Sequence, residues 1–144
     1  MKKITSKMSM IKNYYYLIVG ILSILFAFTH AWNGQTTVLP IVNGSNIDLA
    51  TQTTICYIWH ILTTENFIFG VSFLVMAFYK DLSKVKFTAW MIAIIIIARW
   101  GVIFGSTLSK NINSLTETLS DSIAIIIYVG LILLGTRIKD KISG

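Results

Sequence analysis

Charge is scarce in this chain. Asp, Glu, Lys and Arg make up 12% of its 144 residues, where a soluble domain carries about 25%. With 55% hydrophobic residues and a mean hydropathy of +0.73, that shortage excludes a water-soluble globular domain. Cysteine is nearly absent: Cys56 stands alone. An intrachain disulfide and a Cys-rich metal site are therefore excluded. Cys56 could cross-link two copies, but its plainer role is that of a small apolar residue near a helix end. Proline occurs once, as Pro40. No basic stretch interleaved with aromatics lies outside the apolar runs, so no nucleic-acid partner is expected. No H-E-x-x-H metal motif and no internal repeat occurs. The missing repeat removes support for an inverted-repeat transporter within one chain.

What is present is apolar sequence in four long runs: Tyr14–Trp32, Ile55–Tyr79, Phe87–Ser106 and Ser122–Thr136. Each is near the ~20 residues that a helix needs to cross a bilayer. The basic residues are distributed one-sidedly around them. Lys2, Lys3, Lys7 and Lys12 precede the first run. Lys80, Lys84 and Lys86 separate the second and third, and Arg137, Lys139 and Lys141 follow the fourth. The other two connections hold only Lys110. Four crossings bring the basic groups to one side, which the positive-inside rule makes cytoplasmic. The expected setting is the cytoplasmic (inner) membrane of a bacterium, multi-pass, with both termini inside. The net charge of +6 belongs to juxtamembrane groups that fix orientation and attract anionic lipid head groups. The lysine-rich start and Leu17–Phe28 resemble a signal peptide. The apolar run is too long for one and Thr29-His30-Ala31 is a poor cleavage site, so an uncleaved first helix is expected.

The fold class expected is all-α: a polytopic membrane protein, a four-transmembrane-helix bundle forming a single domain over 1–144. Its helices are placed at about 14–32, 55–79, 87–106 and 122–136, with an outer loop at 33–54. That loop contains Pro40 and the turn dipeptide Asn43-Gly44, which suits a plain loop or a small hairpin lid. Gly20, Ser23 and Ala27 form a small-residue stripe on the first helix that would turn His30 inward. Ala98, Gly101 and Gly105 form another on the third. Asp121 is expected at the start of the fourth helix, capped by Ser120 or Thr118.

Counting ~1.5 Å of rise per residue compares depths across the runs. Glu65 falls near the midplane and Arg99 on the order of one turn outward. His30, His60 and Asp121 fall about 10 Å outward. All intramembrane ionisable groups thus lie in the outer half. Opposite charges at similar depth are expected to pair, so Glu65 and Arg99 read as a register-fixing ion pair or as a ligand site, with the remaining alternative that they do not meet. The two histidines read as hydrogen-bonding groups, as a proton relay, or with Asp121 as metal or haem ligands. Trp32, Trp59 and Trp100 fit an interfacial aromatic belt, and Trp59 and Trp100 could wall a pocket for a flat apolar ligand. The polar residues of the second helix spread over a broad arc, which suits a helix surrounded by protein.

Gly20 through His30-Ala31-Trp32-Asn33-Gly34, with the four-crossing layout, resembles the opening of small DoxX-like bacterial membrane proteins. The resemblance is one of topology over most of the chain. It implies a link to quinone-dependent redox chemistry and assigns no catalytic residue.

The leading functional reading is non-enzymatic. A pocket in the outer half, built from His30, Trp59, His60, Glu65, Asn66, Arg99, Trp100, Asp121 and Tyr128, binds a small amphipathic or anionic ligand such as a quinone, a lipid or a metabolite. The protein then serves as a carrier or as a membrane subunit of a larger complex. Its partners would be the lipid bilayer and that ligand, with a homo-oligomer or a membrane partner subunit as further expectations. The alternatives are a redox subunit with His-bound haem or metal, a structural or assembly protein, and a proton-coupled transporter working as an oligomer. No cofactor is identified.

Overall fold

The computed structural model describes residues 11–138. Lys2, Lys3, Lys7, Lys139 and Lys141 lie outside the described residues. Within them the fold is all-α and contains no strand. Helix α1 spans Tyr14–Asn33 and passes through a π-helical segment, Gly34–Val38, into the short helix α2, Leu39–Asn43. Helices α3 (Leu49–Ala77) and α4 (Leu82–Lys110) follow. A 3-10 turn, Ile112–Ser114, leads into α5, Leu115–Arg137. Four continuous helical runs of 30, 29, 29 and 26 residues are thus long and apolar enough to cross a membrane. Large apolar side chains stand exposed along all of them, among them Phe28, Ile61, Ile94 and Ile126. Such a surface suits lipid and not water. The chain is a multi-pass membrane protein.

The helices outrun their expected bounds. The outer loop expected at 33–54 is mostly helix, leaving residues 44–48 as the connection. Pro40 does not break the run, because it occupies the first turn of α2, where no amide donor is required. Gly44 takes right-handed backbone angles, φ −84° and ψ −3°, and its N–H closes onto the Pro40 carbonyl. Asn43-Gly44 therefore ends a helix and does not turn a hairpin. Asp48 caps α3: its carboxylate accepts from the Thr51 amide at 3.0 Å and from the Thr51 hydroxyl at 2.6 Å. At α5 the expected start is also corrected. The helix begins at Leu115, so Asp121 lies in its second turn and Glu117 in its first. Ser120 donates to the Thr116 carbonyl and Thr118 lies 3.2 Å from the Ser114 carbonyl, so neither is a cap.

The described residues group into two compact units: residues 20–74, and residues 11–19 with 75–138. In the first, α1 and α3 approach backbone to backbone. A Cβ at Gly20 would lie 2.9 Å from the Leu74 amide nitrogen, and one at Gly70 would lie 3.0 Å from the Gly20 carbonyl. Small residues permit this approach, and Ser23 and Ala27 of the same stripe are buried, as are Phe69 and Phe73 of α3. In the second, α4 and α5 form an antiparallel pair around Ala89, Ile92, Tyr128 and Ile132. The stripe on α4 has no such role here: Gly101 and Gly105 face open space.

Candidate functional site

Four turns of α3 carry the site. Tyr57, His60, Ile61, Thr64, Glu65, Ile68 and Phe69 recur at helical spacing and line one open recess of about 660 Å³. Its wall is mainly apolar, and its polar groups gather at the level of His60, Thr64 and Glu65. The broad polar arc of α3 does not need a protein surround. The hydroxyls of Thr53, Thr54, Thr63, Thr64 and Ser72 each donate to the carbonyl four residues back, at 2.8–3.1 Å. A hydroxyl satisfied by its own helix can face an apolar medium.

Two adjacent residues of α3 grip two adjacent residues of the π-helical segment. The Trp59 indole N–H donates to the His30 carbonyl at 3.0 Å. The two rings stack with centroids 4.2 Å apart and planes within 5°. A Cβ at Gly34 would collide with the same indole, so glycine is what admits it there. His60 meets the next residue of that segment, its Nε2 lying 3.2 Å from Gln35 Nε2. The amide nitrogen can only donate, so as placed the imidazole accepts at Nε2 and carries its proton on Nδ1. The segment itself is wound one residue wider than an α-helix: the Leu39 amide reaches back to the Gly34 carbonyl. Thr36 donates to the Trp32 carbonyl at 2.9 Å.

Of the nine expected site residues, His30, Trp59, His60, Glu65 and Asn66 belong to one unit, and Arg99, Trp100, Asp121 and Tyr128 to the other. His60 and Glu65 share the recess. Trp59 is expected as a pocket wall, but it faces α1 and one side of its ring is taken by His30. Asn66, seven residues on from Trp59, is half-buried on that same side of α3. In the other unit, the Trp100 indole N–H donates to the Ser122 hydroxyl at 2.7 Å, and Ser122 donates to the Thr118 carbonyl at 2.7 Å. Trp100 also lies over Phe104, with centroids 5.3 Å apart. Arg99 is half-buried, Asp121 exposed and Tyr128 buried. Among the described residues, no three His, Cys, Asp or Glu side chains are grouped to hold a metal ion.

Sequence reasoning missed Gln35 and Gly34, because both fell in a segment expected to be a loop. It also missed Tyr57, Ile68 and Phe69, whose only signal is their spacing from His60. Chemically, the recess offers an apolar wall for a hydrocarbon body, an imidazole of fixed orientation and a carboxylate for a polar end. No family model, curated protein or solved structure matches the chain significantly.

Proposed function

We propose that this membrane protein binds one small amphipathic molecule along the recess on α3. The observation that carries the reading is the recess itself. Its apolar wall with a few polar groups gathered at one level follows the lining pattern of ligand sites. Ile61, Ile68 and Phe69 would meet the hydrocarbon part, and His60 and Glu65 the polar end. No chemical step is assigned to the site. The reading includes the orientation argued from Lys80, Lys84 and Lys86, with both termini on the cytoplasmic side of a bacterial inner membrane. A short-chain benzoquinone is the first probe, because a flat ring with carbonyl acceptors suits an apolar wall beside an N–H donor. The DoxX-like layout points to the same class.

Titrating that quinone into the purified protein in mild detergent, with tryptophan fluorescence as the readout, tests the proposal. Saturable quenching is expected, with His60→Ala weakening affinity about tenfold, the value of one lost hydrogen bond of ~1.4 kcal/mol. Quenching that rises linearly without saturation, or wild-type affinity in His60→Ala, would falsify it.

A further inference from the structure

Five of the seven described Lys and Arg residues, Lys12, Lys80, Lys84, Lys86 and Arg137, gather at one end of the unit formed by residues 11–19 and 75–138. Three separate segments are tied together there. The Lys12 and Asn13 amides both donate to the Ala77 carbonyl at the end of α3, at 2.9 and 3.1 Å. The Asn13 side-chain amide donates to the Gly135 carbonyl near the end of α5, at 2.9 Å. This knot draws Lys12 and Arg137 to the connection that carries Lys80 and to the start of α4, which carries Lys84 and Lys86. It also covers two helix C-terminal carbonyls, whose negative partial charge would repel an anion. Lys12, Lys80, Lys84 and Arg137 are exposed. Among the described residues of this end, Asp81 is the only carboxylate, and it is engaged: it accepts from the Ser83 amide at 3.2 Å and lies 3.5 Å from Lys84 Nζ. Because Asp81 fills the N-terminus of α4, an anion would meet side-chain cations rather than helix amides.

A second observation fixes the depth. Tyr14 and Tyr79 are exposed at the ends of α1 and α3 in the same knot, and Trp90 is exposed further along α4. Exposed Tyr and Trp rings mark the level of the lipid head groups. The cations therefore stand where phosphodiester groups lie.

We infer that Lys12, Lys80, Lys84, Lys86 and Arg137 form a collar that binds the head groups of anionic phospholipids in preference to zwitterionic ones. The collar is independent of the recess on α3, since no residue is shared.

The test uses the full-length protein in nanodiscs that mix phosphatidylglycerol with phosphatidylcholine, and native mass spectrometry of the lipids retained on release. The wild type should retain phosphatidylglycerol preferentially. Each basic group near an anionic surface is worth about fivefold, so Lys80→Gln/Lys84→Gln/Arg137→Gln together should cut the preference at least tenfold. Lys110→Gln, at the opposite end of α4, should leave it unchanged. An unaltered preference in the triple variant, or an equal loss with Lys110→Gln, overturns the inference. If the triple variant fails to insert, a salt series on the wild type decides. A steep fall in preference between about 0.05 and about 0.5 M salt supports the collar, and a flat response overturns it.

Discussion

A methyl group at Gly34 would sit inside the indole of Trp59. Gly34→Ala must therefore displace that ring, its stack on His30 and its hydrogen bond to the His30 carbonyl. Overpacking of this kind costs about 1–3 kcal/mol. We expect Gly34→Ala to lower the thermal midpoint in detergent, and to lower it much less in a Trp59→Ala background, where the obstacle is gone. Strict additivity of the two changes would show that the clash is not the cause. The same residues show what can be read from sequence at this scale. Depth was legible: His30 and His60 were placed at one level, and His30 indeed stacks on Trp59, the neighbour of His60. Direction was not, because helical rise is fixed for any sequence whereas the facing of a side chain depends on packing partners far along the chain. Trp59 and His60, one residue apart, consequently meet different residues of the same run, His30 and Gly34 for the first and Gln35 for the second.

At the scale of elements, apolar content located the helices and polar content misplaced their ends. Residues 33–43 hold Asn33, Gly34, Thr36, Thr37, Pro40 and Asn43, all of which argue locally for a loop. The helix persists because Thr36 is satisfied within it and Pro40 falls in a first turn. The start of α3 is similar: the run from Leu49 to Thr54 has little hydropathy, but Asp48 supplies a cap. The Thr51 hydroxyl, followed by the Thr51 amide, holds the Asp48 carboxyl below its ordinary value of 3.8. The sign follows from that lowering. The capped carboxylate favours the folded helix end at neutral pH, and the contribution disappears as pH falls through the folded-state value, below 3.8. Hydrogen exchange at the amides of residues 50–53, normalised for intrinsic rate, should show protection falling as pH drops below 3.8. In Asp48→Asn that dependence should vanish. Protection in the wild type that ignores pH would mean that the cap carries no weight in solution.

For the whole molecule, the number of crossings was legible because ~20-residue apolar runs have few other uses. The division into two units was not, since it cuts α1 and α3 in mid-helix, and no composition change marks those points. Orientation remains a consequence of the basic residues, and it can be tested directly. In a Cys56→Ala background, Ser45→Cys should react with a membrane-impermeant maleimide in intact cells. Ser83→Cys should react only after the membrane is opened. The reverse pattern would invert the topology. The knot at Asn13 also bears on how the chain is made. Its side-chain amide closes on a carbonyl 122 residues later, so the first helix enters the bilayer long before its partner is synthesised. Until α5 is made, the Asn13 side-chain amide can be held only by provisional partners such as water or lipid head groups. The contact that locks α1 forms only once α5 has arrived, which makes it a marker of completed assembly and a site that a prematurely released chain would leave open.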